Sequence, residues 1–316
     1  MPALTCRAGY LDFEALHGLE GVRAAIRQAA EQNDPAALTF LTERLSEVLG
    51  QDANAALQVY TWAETAAEPE LSALLGGLRN AEAVKSPLVD VSLLYLAEKH
   101  ADPVHKARAL EALETQERFD EMAMERLATL AKQRNQAPGV AMQAVRTLGR
   151  VMQRDFEATG TVTPYMTWLL DIARRARDSN VRTLAVEMGT YPGARLDAEV
   201  VTELARLLKE DPSAGVREMA ALALSNGRDT DAVLTHFAEA FRAEKSLCVR
   251  WAILRYTLRA GGAEALTQVR EYARQDRRFA QDAADFEALY RAGHTDFDRL
   301  WPDKRVRHRC PDETED

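Results

Sequence analysis

Trp251, Arg255 and Arg259 stand four residues apart, so on a helix they form one ridge of an aromatic plate and two guanidiniums. Such a set can hold a carboxylate, a phosphate or an acidic peptide. Guanidiniums grip oxyanions bidentately, and Trp and Arg are typical interface anchors. Met142, Arg146 and Arg150 repeat the spacing 109 residues earlier. A plainer alternative packs Trp251 beneath the next helix pair and pairs its arginines with Glu264 or Glu287. Arg182, Arg217 and Arg250 each follow a valine and could form an anion-binding row.

Enzyme chemistry has no comparable foothold, and no catalytic residue can be assigned. The six histidines form no HExxH, and no GxSxG, Walker A or GxGxxG run occurs. His100 and His105, five apart across Pro103, make a poor ligand pair and read as solvated loop residues. Cys6, Cys248 and Cys310 are scattered, with no CxxC pair, and read as unpaired thiols in a reducing cytoplasm. No metal or cofactor is expected. Helical carboxylates are abundant, but none form a pair suited to acid–base work.

Charge narrows the partners. The formal net charge is -9, which argues against generic nucleic-acid or anionic-membrane binding. It is uneven: residues 1–139 carry 13 Lys+Arg against 21 Asp+Glu, and residues 140–310 carry 27 against 24. A local anion site in the second half therefore stays open. No apolar run reaches the roughly 18 residues of a membrane span, and the N-terminus lacks the pattern of a signal peptide. The chain reads as soluble and cytoplasmic.

The elements that must position these residues are helices. Only 11 prolines and 16 glycines interrupt 316 residues, aromatics are 7%, and no long alternating Val/Ile/Thr run suggests a strand. Asp34-Pro35, Ser86-Pro87, Asp102-Pro103 and Asp211-Pro212 read as helix starts, with the aspartates as caps. Aligning helices on Val104, Val140, Val181, Val216 and Val249 gives intervals of 36, 41, 35 and 33 residues, with room for one further helix between each pair. A two-helix period of this length marks a helical solenoid. The outward ridge then falls two, six and ten places after each valine. Residues 1–85 have helices of the right length but no clean motif; 86–293 form the clear repeats; 294–316 form a terminal extension, disordered at its end. Phe297, Leu300 and Trp301 could cover the last repeat.

The segments SNVRTLAVEM, AGVREMAALAL and LCVRWAILRYTL resemble the second helix of HEAT repeats, particularly the short bacterial type also seen in phycobilin lyases. The likeness covers about residues 85–260. It implies an all-α, right-handed α-α superhelix of antiparallel helix pairs, with second helices lining the concave surface. It also implies that the arginine after each valine bonds an aspartate or carbonyl in the turn between helices; Asp178 and Asp211 stand in place for Arg182 and Arg217. HEAT-like di-iron hydroxylases use His-Glu pairs, which are missing here. The first expectation is a non-enzymatic scaffold for a protein or peptide, using Trp251, Arg255, Arg259, Met142, Arg146 and Arg150. The alternatives are a HEAT-like DNA glycosylase or nucleic-acid binder, which lacks an assignable catalytic aspartate, and a bilin lyase-like subunit.

Overall fold

The computed structural model describes residues 15–81, 87–191 and 193–294. The chain is all-α and divides into two compact units, Met1–Thr159 and Gly160–Asp316. Among the described residues the only β pairing is an isolated parallel bridge between Leu196 and Gly227.

The first unit contains α1 (Leu19–Glu31), α2 (Pro35–Leu49), α3 (Ala53–Ala63), α4 (Glu70–Asn80), α5 (Pro87–Lys99), α6 (Pro103–Leu113), α7 (Glu121–Lys132) and α8 (Pro138–Thr159). Consecutive helices pair, short turns making them antiparallel. Second helices stack on second helices (α2 on α4, α4 on α6, α6 on α8), and α5 packs between α3 and α7. Second helices start at residues 35, 70, 103 and 138. The motif-poor helices α1 to α4 thus stack like the rest, because packing needs apolar spacing rather than a motif. The division between the two units falls after Thr159.

Local signals explain the helix starts. Asp34, Asp52, Asp102 and Asp120 each accept a backbone N–H of the first turn, and Pro35 and Pro103 occupy first-turn positions where no donor is needed. Gly76-Gly77, which reads as a fading end, lies inside α4. A Cβ on Gly77 would stand 2.5 Å from Leu45 Cδ2, so the glycine lets α4 press against α2.

The second unit contains α9 (Thr163–Arg175), α10 (Ser179–Met188), α11 (Ala198–Glu210), α12 (Ala214–Leu224), α13 (Thr230–Ala243), α14 (Leu247–Gly261), α15 (Leu266–Gln275) and α16 (Ala280–Arg291). Here α10 stacks on α12 and α12 on α14, with α9, α11 and α13 forming the other layer. Each unit is thus a solenoid-type stack of antiparallel helix pairs. Val140, Val181, Val216 and Val249 are at most 1% exposed and anchor the core.

Two readings need correction. Val104 is 43% exposed, while His105 is buried. Counted from the helix start, His105 occupies the place that valine holds in α8, α10, α12 and α14, so the alignment at α6 slips by one residue. Asp211 does not cap α12: Ser213 stands at that cap, and Asp211 receives Arg182 instead. The terminal residues Phe297, Leu300 and Trp301 lie outside the described residues.

Candidate functional site

Met142, Arg146 and Arg150 stand in the first unit and Trp251, Arg255 and Arg259 in the second, so they are two separate sets. On α8 the ridge faces outward as its spacing predicts. Met142 is half-buried, and Arg146 and Arg150 are exposed. Neither arginine makes an ion pair among the described residues. The adjacent cations are engaged: Arg79 reaches Glu111 and Glu114, Arg108 reaches Glu68 and Glu111, and Arg154 donates to the Glu114 and Gln116 carbonyls.

On α14 the ridge is only partly outward. Trp251 is 2% exposed, against the expectation of an open aromatic plate. The Arg255 guanidinium carbon lies 5.1 Å from the Trp251 ring centre and 4.4 Å from that of Tyr256, and the guanidinium also donates to the Tyr256 hydroxyl. Arg255 and Arg259 are half-buried. Glu287, offered as their partner, instead binds Arg270 and Arg291. A shallow cleft between α12 and α14 does gather Glu218, Leu222, Trp251 and Arg255.

The arginines after the valines form a structural ladder. Arg182 grips Asp211 through Nε and Nη2 at 2.9 and 3.0 Å and donates to the Ala176 carbonyl. Arg217 grips Glu244 and donates to the Asp211 carbonyl; Arg250 donates to Asp276 and to the Glu244 carbonyl. Each guanidinium therefore ties its own turn to the carboxylate of the next helix pair. The expected partner of Arg182 within its own pair, Asp178, caps α10 instead. Burial alone would raise the Glu244 carboxyl, but Arg217 and the Ser246 and Lys245 N–H groups hold it below its ordinary value. Arg278, and after it Arg250, draws Asp276 down to about 2. These arginines are thereby occupied and form no anion-binding row.

His105 is not solvated. Its Nε2 lies 2.7 Å from the Ala66 carbonyl and must donate there; its Nδ1 meets Asp102 at 3.2 Å, and its ring stacks on His100 at 3.9 Å. It pins the turn between α5 and α6 to the one after α3. Cys248 is disulfide-bonded, correcting the reading of three unpaired thiols. Cys6 and Cys310 lie outside the described residues. Cysteines this far apart in sequence carry no spacing signal for pairing.

A further surface belongs to neither ridge. Leu88, Val91 and Tyr95 on α5 are 63%, 46% and 54% exposed, and Met122 on α7 is 54% exposed. The signal was present: α5, PLVDVSLLYLAEK, is apolar on nearly every side, which a helix with one solvated face does not need. Among the described residues, no group of three or more His, Cys, Asp or Glu is placed to hold a metal, and no helix is long and apolar enough to cross a membrane.

No family model matches the chain, and no curated protein matches it. Among solved structures, it is similar to a crystal structure of an engineered protein at 17% identity, covering 69% of this chain and 96% of that one with a TM-score of 0.38. It is also similar to a protein from the computational design of self-assembling cyclic homooligomers, at 13% identity, 92% and 98% coverage and a TM-score of 0.16. Likeness at this level carries no weight for function.

Proposed function

We propose that the chain is a non-enzymatic, HEAT-like scaffold that binds a protein or peptide, and that an acidic stretch of the partner meets the α8 ridge. One observation carries this reading: Arg146 and Arg150 stand exposed on successive turns, outside any ion pair among the described residues, with Met142 half-buried on the same ridge. An unengaged guanidinium is an open bidentate site for a carboxylate, and a thioether beside it adapts to varied apolar contacts. At the end of the stacked helix α6, Glu111 and Glu114 are held by Arg79, and Arg108 shares Glu111. A net charge of -9 opposes the dense phosphates of a duplex more than a few peptide carboxylates.

Fluorescence anisotropy with a labelled Glu-rich peptide tests the proposal. Arg146→Glu with Arg150→Glu should lower affinity at least tenfold, with unchanged helical circular dichroism. Equal binding by the variant removes the ridge from the reading. Tighter binding of duplex DNA than of peptide at low salt, lost in the same variant, would instead favour the nucleic-acid alternative.

A further inference from the structure

We infer that α5 and α7 form a second docking surface, independent of the α8 ridge, for a cationic amphipathic helix of another protein. Leu88, Val91 and Tyr95 recur at three and four residues, so they form one stripe along α5. Met122 is exposed on α7, which packs beside α5. On α3, which also packs against α5, half-buried Tyr60 donates its phenol to Glu64 at 3.0 Å. Four of the five large apolar side chains exposed among the described residues lie on α5 and α7. Scattered single apolar groups are ordinary on a surface, but a contiguous set across neighbouring helices marks an interface.

Charge selects the occupant. Asp120, Glu121 and Glu125 are exposed on or beside the first turns of α7, flanking Met122. The cation among them, Arg126, is engaged by Glu98 at 2.6 Å. An apolar stripe with a carboxylate rim fits a helix that presents apolar residues at the same spacing and Lys or Arg along its edges. A second copy of this chain fits poorly, because residues 1–139 carry 21 acidic against 13 basic residues and would repel themselves. An anionic bilayer is opposed for the same reason.

The full-length protein is titrated into a labelled, amidated helical peptide of Leu and Lys, with apolar residues at three- and four-residue spacing, in 150 mM salt. A matched Leu/Glu peptide is the control. The Leu/Lys peptide should bind, the Leu/Glu peptide should not, and Leu88→Ser with Tyr95→Ser should weaken binding at least tenfold. Val91→Ser alone serves if the double variant loses helical circular dichroism. Arg146→Glu/Arg150→Glu should bind the Leu/Lys peptide as the parent does, which separates this surface from the ridge. Undiminished binding by the serine variants, or equal binding of both peptides, overturns the proposal. So does a dimer in sedimentation, or flotation with phosphatidylserine vesicles, that the same substitutions abolish.

Discussion

Asp90 shows how a single side chain on α5 differs from the solvated helical carboxylates around it. Its Oδ1 is buried and has no hydrogen-bond partner among the described residues. Burial, with a smaller push from the Asp120 carboxylate, raises its pKa to about 7 from 3.8. The folded chain therefore keeps a proton that the unfolded chain releases above about pH 4. Stability from this group is present at low pH, falls as the pH climbs to about 7, and is level beyond. Asp90→Asn should stabilise the protein by about 1–2 kcal/mol at pH 8, the full three-unit conversion being discounted for partial solvent access. It should change little near pH 4. Urea unfolding at both pH values checks this, and an equal shift at each would refute it. Nothing in the sequence marks Asp90, because its neighbour Asp120 is brought close only by packing. Trp251 misled for a related reason. The run VRWAILRYTL is apolar almost all round, so periodicity alone could not tell its outer face from its inner one.

Between helix pairs, the Arg182–Asp211 link is the most enclosed rung, with the two side chains 10% and 5% exposed. Arg182→Ala would leave Asp211 buried without its counter-charge, and a loss of about 3–5 kcal/mol is expected. Replacing both, Arg182→Met with Asp211→Leu, should cost much less, since no bare charge remains. Chemical denaturation of the two variants checks the contrast, and a loss below about 1 kcal/mol for Arg182→Ala would show that the rung is ornamental. The helices themselves were legible from Asp-Pro and Ser-Pro starts and apolar spacing. The rungs were only half legible. The arginine is visible beside its valine, but its carboxylate comes from the following pair, and a nearer aspartate, Asp178, offered a false match already committed to capping α10. The His105 slip has a similar origin: Val104 looks like the valine of the repeat, and only its 43% exposure reveals the shifted register.

At the scale of the molecule, the division at Thr159 had a trace in the sequence. The step from Val140 to Val181 is 41 residues, longer than the others, because α8 runs for 22 residues before the next pair begins. The change in motif quality near residue 85 follows surface and turn chemistry rather than packing, since α4 stacks on α6 across it. Each unit has its own buried core, so residues 1–159 and 160–316 made separately should each show helical circular dichroism and a cooperative melt. A half that is unfolded by both circular dichroism and NMR dispersion would show that its core is insufficient alone.

The Arg–carboxylate rungs also keep count. Ala176, at the start of the series, offers a carbonyl but no acid that would want a guanidinium from an earlier pair. Asp282 fills the place after Asp276 where the next arginine would stand. Among the described residues the series therefore runs from Arg182 to Asp276, and lengthening it by one module would require an arginine where Asp282 stands as well as an inserted helix pair. The number of modules in this half is written into its ion pairs as well as its length.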